Sequence, residues 1–147
     1  MLKKIREMKD EDGFTLIELM VVVLIIAILI AIALPTFLGL RQRAQDRATQ
    51  SNLRNGLAAA KAFYTDGETY TGFNAAAGTA IEPSLNWVGA GAPVAGNVHV
   101  QAASGNSAVL SGVSQSGATF CIGDNAGATT YGDDAQPASA AACTGGW

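Results

Sequence analysis

The chain carries no charged residue from Leu19 to Leu40, a run of 22 residues that is apolar almost throughout. As an α-helix this run would be about 33 Å long, which is enough to cross the hydrocarbon core of a bilayer. A chain of 147 residues has too little other apolar material to surround such a helix on all sides in a soluble core. The pattern therefore predicts a membrane-spanning helix, with the charged Glu18 at its start.

After Leu40 the apolar positions keep a helical spacing but occupy one face only. Four of them follow the repeat of an amphipathic helix: Leu53, Leu57, Ala60 and Tyr64. Gly56 interrupts this half at a cost of about 1 kcal/mol relative to Ala, for which the sequence shows no reason. With Asp66 and Gly67 as the stop signal, one helix is expected over 14–65, hydrophobic over 14–40 and amphipathic over 41–65.

Residues 66–96 are rich in Gly, Ala, Thr and Pro, and they predict an irregular connecting loop. Large apolar residues are expected to anchor this loop: Tyr70, Phe73, Leu85 and Trp87. Because a loop of this length usually carries function or surface variation, 66–96 is a candidate variable surface.

Three strand-like stretches follow in 97–147: NVHVQA, SAVLSGV and GATFCIG, separated by Gly, Ser and Asn. In the third stretch Phe120 and Ile122 share the face expected against the helix, and Cys121 points the other way. The combination predicts an α+β fold, in which a long N-terminal helix carries a small antiparallel sheet of three or four strands. A disulfide-tied loop is expected to complete 97–147.

Charge is distributed unevenly around a net charge of −3. Residues 41–61 carry five basic residues against one acidic, whereas residues 62–147 contain no Lys or Arg and six acids. The C-terminal region therefore has no basic patch, which argues against nucleic acid as its partner. The basic cluster at 41–61 is interpreted as a solvated face or as a partner of the acidic region.

Cys121 and Cys143 are the only cysteines, and they have neither CxxC spacing nor a nearby His that would complete a zinc site. In a membrane-anchored chain, a single disulfide in an oxidising compartment is the favoured interpretation. It would close a loop of about 23 residues and stabilise the fold by roughly 3 kcal/mol.

The rest of the sequence offers little chemistry. His99 is the only histidine and is expected to be structural or exposed rather than catalytic. None of the phosphate-binding, hydrolase or metalloprotease motifs occurs, so an enzyme is not expected. Asp124, Asp133 and Asp134 make an oxygen-rich stretch with Asn125 that is a weak candidate for calcium. A solvated acidic loop is the favoured alternative, and no other cofactor is expected.

The charged segment before the span ends at Gly13. A secretory signal peptide is cleaved after its apolar region, but here the small residue precedes that region. Cleavage between Gly13 and Phe14 would remove residues 1–13 as a leader peptide and keep the hydrophobic helix.

The stretch GFTLIELMVVVLIIAILIAIALP, residues 13–35, resembles the N-terminal signature of type IV pilins and of type II secretion pseudopilins. The resemblance implies a prepilin that prepilin peptidase cleaves after Gly13 and that is N-methylated at Phe14. It further implies a single-pass membrane subunit that interacts with lipid and with the inner-membrane assembly machinery. That subunit would then form a helical homopolymer, a surface pilus with the hydrophobic helices in its core. Adhesion, twitching motility and DNA uptake are all roles of this family.

Glu18 acquires a specific role from this resemblance. After cleavage Phe14 would carry a cationic amine with a reference pKa of about 8, and Glu18 lies one helical turn away on the same face. In a filament Glu18 would meet the Phe14 amine of a neighbour. Because an unpaired buried charge is costly, neighbouring subunits would align in the register that forms this pair. The alternative is a helix-end Glu that extends toward the membrane interface.

Pro35 is the expected weak point of the hydrophobic helix during assembly. Its missing N–H removes the hydrogen bond to the Ala31 carbonyl, so we expect a kink there. Compact residues recur every four positions and would let helices approach closely, although coincidence is an equal alternative: Ala27, Ala31, Pro35 and Gly39.

Three functional classes remain open from the sequence. The first is a structural pilus subunit, and the second is a type II secretion pseudopilin that forms a periplasmic rod. The Cys121 and Cys143 pair favours the pilin, whereas bound calcium without a disulfide would favour the pseudopilin. The third class is a membrane-anchored binding module that never polymerises and would not need Glu18.

Overall fold

The computed structural model describes residues 13–147, so the predicted leader before Gly13 lies outside the described residues. The chain divides after Gly39 into two compact units. The described part contains two α-helices, five strands and a short 3-10 helix: α1 Leu16–Gly67, α2 Ala75–Ile81, β1 Asn86–Val88, β2 Asn97–Ser104, β3 Ser107–Val113, β4 Thr119–Asn125, β5 Ala128–Gly132 and the 3-10 helix Ala140–Ala142. This arrangement confirms the predicted α+β class.

The long helix α1 forms as expected and continues through Pro35, with its end two residues beyond the predicted one. Its membrane half belongs to the first unit and its amphipathic half to the second. The kink at Pro35 stays a prediction.

The sheet has five strands in the order β1-β2-β3-β4-β5. The pairs from β2 to β5 are antiparallel hairpins, as the sequence predicts. The strand β1 lies parallel to β2, in the register Asn86–Asn97, so the expectation of a purely antiparallel sheet is wrong at this edge. The fifth strand, β5, was also not predicted, because its Ala, Thr and Gly residues were interpreted as part of an irregular C-terminal loop.

The interpretation of 66–96 as an irregular loop is wrong in two places, since α2 and β1 lie within it. The Asn74 side chain caps α2 by accepting hydrogen bonds from the N–H groups of Ala76 and Ala77, both at 3.0 Å. The predicted anchors are correct: Tyr70, Phe73 and Leu85 are buried in the main core, and Trp87 packs against it.

The main core lies between the amphipathic half of α1 and one face of the sheet. Leu53 and Leu57 contribute from the helix, and Leu110 and Ile122 contribute from the sheet. On the other face of the sheet, Cys121 belongs to a smaller cluster. The predicted division of β4 between two faces is therefore confirmed.

Two glycines allow helices to approach their neighbours closely. A Cβ at Gly56 would lie 3.0 Å from Leu110 Cδ1 and 3.2 Å from Val98 Cγ1, so α1 meets the sheet at that residue. This contact is the physical reason for Gly56 that the sequence did not show. At Gly78 a Cβ would overlap the ring of Trp87, which lies directly on the backbone of α2.

Candidate functional site

The start of α1 is closed by a reciprocal cap between Thr15 and Glu18. The Glu18 carboxylate accepts a hydrogen bond from the Thr15 N–H at 3.0 Å and another from the Thr15 hydroxyl. In return, the Glu18 N–H donates to Thr15 Oγ1 at 3.3 Å. These bonds form a capping box, which satisfies two of the backbone donors that a helix start leaves free.

Sequence reasoning missed Thr15, although the signal was present. A Ser or Thr followed three residues later by a Glu, immediately before an apolar run, is the sequence signature of a capping box. Glu18 therefore has a local structural role in the chain that still carries its leader. The predicted pairing of Glu18 with a Phe14 amine stays a prediction, because it concerns the cleaved chain.

The surface of α1 that follows the cap is apolar and uncovered. Large apolar side chains between Leu16 and Leu40 are exposed, from 45% at Val22 to 74% at Leu16. Within residues 13–147, α1 is the one helix that is long and apolar enough to cross a membrane. An apolar surface of this extent is not stable in contact with water, so lipid or other helices must cover it. The anchoring function predicted for 14–40 is consistent with this exposure.

The second polar centre of the protein surrounds Asp124 on β4, which is 3% exposed. Its Oδ2 accepts hydrogen bonds from the Tyr70 hydroxyl at 2.9 Å and from the Gly127 N–H at 3.3 Å. The half-exposed Lys61 places Nζ 3.1 Å from Oδ1 and donates to Thr129 Oγ1 at 3.1 Å. Because Oδ1 accepts no hydrogen bond, its contact with Lys61 is an ion pair.

Burial of the Tyr70 hydroxyl raises its pKa, and the hydrogen bond and charge of Asp124 raise it further. Tyr70 therefore remains a protonated donor over the physiological pH range. The arrangement joins α1, the segment after α1 and the β4–β5 turn through one carboxylate.

Calcium binding by this region, the weaker alternative from the sequence, stays a prediction. Asp124 is paired with Lys61, while Asp133 and Asp134 are exposed on the chain after β5. In residues 13–147 no group of three or more His, Cys, Asp or Glu side chains is arranged to hold a metal ion. The Asp134 carboxylate instead accepts the Gln136 N–H at 2.9 Å.

Cys121 and Cys143 form the expected disulfide, with Cα atoms 5.8 Å apart. The bond ties the C-terminal segment to β4. Trp147, at the end of this segment, donates its indole N–H to the Cys121 carbonyl at 2.9 Å and packs edge-on against Phe120 and Tyr131. The C-terminal segment is thus held at two points.

His99 is structural, as the sequence indicates. It is 2% exposed, and its two ring nitrogens lie 3.1 Å from the Gly89 carbonyl and 3.1 Å from the Val94 N–H. These contacts require the tautomer protonated at Nδ1, which donates to Gly89 and accepts from Val94. The imidazole therefore fixes the chain between β1 and β2.

Comparison with known proteins places these features in a family context. The family model for the prokaryotic N-terminal methylation motif matches residues 8–34. The type IV major pilin protein PilA of Myxococcus xanthus is 44% identical over 61 residues, which are 42% of this chain and 28% of the relative. The chain is related to type IV pilins.

Two further relatives extend the comparison. The type IV wide pilus major component PilA4 of Thermus thermophilus is 39% identical over 69 residues, 47% of this chain and 53% of the relative. The fimbrial protein EcpC of Eikenella corrodens is 40% identical over 89 residues, 60% of this chain and 54% of the relative. This chain therefore spans about half or less of the length of each relative. No solved structure gives a significant match.

Proposed function

We propose that this protein is a structural subunit of a type IV pilus. The observation that carries the proposal is the exposed apolar surface of α1 between Leu16 and Leu40, most of which lies within the methylation motif at residues 8–34. Such a surface is stable in a bilayer, and equally in a bundle of like helices. A subunit that moves from membrane to filament needs both environments.

Maturation is the first step of the proposed function. Prepilin peptidase cleaves between Gly13 and Phe14, the new amine of Phe14 is methylated, and the subunit stays in the membrane through residues 14–40. The inner-membrane assembly machinery then moves it into a helical homopolymer at the cell surface. The printed names of the relatives, a major pilin and a pilus component, support a pilus, and no feature of residues 13–147 favours a secretion rod. Pilins are structural proteins, which supports a non-catalytic function.

Cleavage also changes the electrostatics of Glu18. In the precursor its carboxylate accepts the Thr15 N–H and hydroxyl, its hydrogen-bond donors among residues 13–147. A cleaved chain adds a cationic amine one helical turn before it, and in a filament the amine of a neighbouring Phe14 provides a second cation. Because an unpaired carboxylate in an apolar bundle costs several kcal/mol, only registers that pair Glu18 are populated.

Mass spectrometry of the N-terminal peptide from fibres sheared off intact cells tests the proposal directly. We expect a peptide that begins at methylated Phe14. A processed chain confined to the membrane fraction would favour a rod or a minor subunit. A chain that still begins at Met1, in cells with active prepilin peptidase, would contradict the proposed maturation.

Two variants separate the capping role of Glu18 from its role in assembly. Glu18→Ala removes the carboxylate, so we expect normal insertion but a large loss of pilin from the sheared fraction. Thr15→Val removes the hydroxyl of the cap at a cost of about 1 kcal/mol and keeps the carboxylate, so filaments should persist. Normal piliation by Glu18→Ala, or equal failure of both variants, would refute the assembly role.

A further inference from the structure

The basic residues of α1 form a stripe along one face of the helix. Arg43, Arg47, Arg54 and Lys61 follow one another at spacings of four, seven and seven residues, which places all four on one side. Arg41 lies on another side of the helix. The stripe belongs entirely to the second unit, so its geometry relative to the sheet is set within that unit.

The later half of the stripe has partners within the protein itself. The Arg54 guanidinium lies 4.6 Å from the ring centroid of Trp147, in a cation–π contact. Lys61 pairs with Asp124 at 3.1 Å. The C-terminal residue and the β4–β5 region therefore supply the partners of these two cations.

The earlier half of the stripe has no such partner. Arg43 and Arg47 are exposed, and the described residues contain no salt bridge to either guanidinium. Asp46 lies between them in sequence, but its carboxylate accepts a hydrogen bond from the Ser116 hydroxyl. Two cations of the stripe are thus left without a salt bridge among the described residues.

A complementary acidic pair lies at the other end of the helix. Asp66 and Glu68 are exposed, and neither forms a salt bridge within residues 13–147. Glu68 has a positive φ of 52°, and its N–H closes the helix by donating to the Tyr64 carbonyl at 2.7 Å. This position usually holds Gly, because a side chain there costs conformational energy. A strained residue whose carboxylate has no salt-bridge partner within residues 13–147 points to a partner on another chain.

We infer that Arg43 and Arg47 of one copy dock against Asp66 and Glu68 of a second copy of this chain. The inference rests on the proposed function, because it requires subunits packed with their helices parallel. Both halves of the contact are present on every chain, at opposite ends of the same helical segment. A contact of this head-to-tail kind does not close on itself, so it generates an open filament.

The spacing along α1 sets a geometric requirement for the contact. Arg43 and Asp66 are 23 residues apart in sequence. At 1.5 Å per residue this separation is about 35 Å along the helix axis. Contacting subunits must therefore be displaced by about 35 Å along the filament, and a filament structure can be checked for such a neighbour.

Charge reversal in the full-length protein tests the pairing. The basic variant is Arg43→Glu/Arg47→Glu, the acidic variant is Asp66→Lys/Glu68→Lys, and a fourfold variant combines them. Asp133→Lys/Asp134→Lys is the matched control, because it makes the same charge change at another exposed acidic pair. The readout is pilin in sheared fibres relative to pilin in the membrane.

Each reversal on its own should reduce the fibre fraction by roughly tenfold or more, since like charges oppose each other at every repeat of the interface. The fourfold variant should recover most of the wild-type fraction, and the Asp133/Asp134 control should match the wild type.

Three results would overturn the inference. One is wild-type assembly by either reversal, and another is failure of the fourfold variant to recover. The third is an equal loss in the control, which would trace the effect to net charge alone. A loss confined to the Arg43/Arg47 variant would identify an anionic lipid or another partner in place of a second copy. If wild-type cells carry no fibres that contain this protein, the proposed function itself fails, and that result is visible before any variant is made.

Discussion

Replacing Tyr70 with Phe removes one hydroxyl from the buried centre that joins helix to sheet, and it should destabilise the second unit. The hydroxyl donates to Asp124 Oδ2 at 2.9 Å, and Tyr70 is 1% exposed. A buried hydrogen bond to a charged acceptor is worth about 1.5–3 kcal/mol. Because Oδ2 retains the Gly127 N–H at 3.3 Å, we expect a loss of about 2 kcal/mol at neutral pH.

The same hydroxyl makes stability depend on alkaline pH. Burial and Asp124 raise the pKa of Tyr70 in the folded state above the value of about 10 that it has when unfolded. The neutral form is therefore favoured by folding, and its contribution is complete below about pH 10. Above that pH the unfolded chain loses the proton that the folded chain keeps. Stability should fall by up to about 1.4 kcal/mol per pH unit through this residue.

Urea unfolding of the full chain in detergent micelles, followed by tryptophan fluorescence, measures both effects. Trp87 and Trp147 both pack against the main core and therefore report on its unfolding. Tyr131→Phe is the matched control, because Tyr131 is 37% exposed and should change stability by less than about 0.5 kcal/mol. Parallel alkaline slopes for the wild type and Tyr70→Phe would refute the assignment, since the slope attributed to Tyr70 must disappear with its hydroxyl.

Two further perturbations test the packing of α2 on Trp87 and the disulfide between Cys121 and Cys143. Gly78→Ala would normally stabilise a helix by about 1 kcal/mol, but its Cβ would overlap the Trp87 ring, so we expect a loss of about 1–3 kcal/mol in urea unfolding. Gly67→Ala is its control, because the nearest side-chain atom is 3.9 Å from the added Cβ, and equal effects at both sites would contradict the packing argument. Replacing Cys121 and Cys143 together with Ser should cost about 3 kcal/mol, and chemical reduction of the wild type should give the same loss. Unchanged stability after verified reduction would show that the disulfide does not stabilise the fold.

The features that sequence reasoning predicted correctly are those that depend on local periodicity. The faces of α1 follow from the spacing of Leu53 and Leu57, and both are buried. The faces of β4 follow from strict alternation, which places Phe120 in the main core and Cys121 in the cluster behind it. In each case one face of the element packs against the main core, so the pattern of apolar residues along the chain is enough to identify the buried face.

The features that it missed depend on contacts between distant parts of the chain. The helix α2 is seven residues long and rich in Ala, with no apolar periodicity to reveal it. Its position depends on Trp87, whose ring lies on Gly78 and whose indole N–H donates to the Glu82 carbonyl at 2.9 Å. The parallel pairing of β1 with β2 joins segments separated by a loop, and no rule of turn length predicts it. Local patterns carry no information about such contacts.

The capping box is a different kind of omission, because its signal was local. Thr15 and Glu18 have the spacing of the motif, but a single carboxylate at the start of an apolar run also fits a partner outside the helix. The cap and the proposed partner concern different states of the protein, before and after the leader is removed. Both interpretations of Glu18 therefore hold together only if cleavage changes which group its carboxylate meets.

The polar centre at Asp124 also determines how the sheet is placed along α1. Within residues 13–147 every Lys and Arg lies on α1, between Arg41 and Lys61, so among the described residues the buried carboxylate of Asp124 can find a Lys or Arg only on that helix. Lys61 provides it at 3.1 Å. A sheet displaced by one turn along α1, about 5.4 Å, would leave Asp124 buried without this counter-charge and would lose the close approach at Gly56. Since an unpaired buried charge costs about 3–5 kcal/mol, the ion pair adds to the packing at Gly56 in favouring the observed position of the sheet.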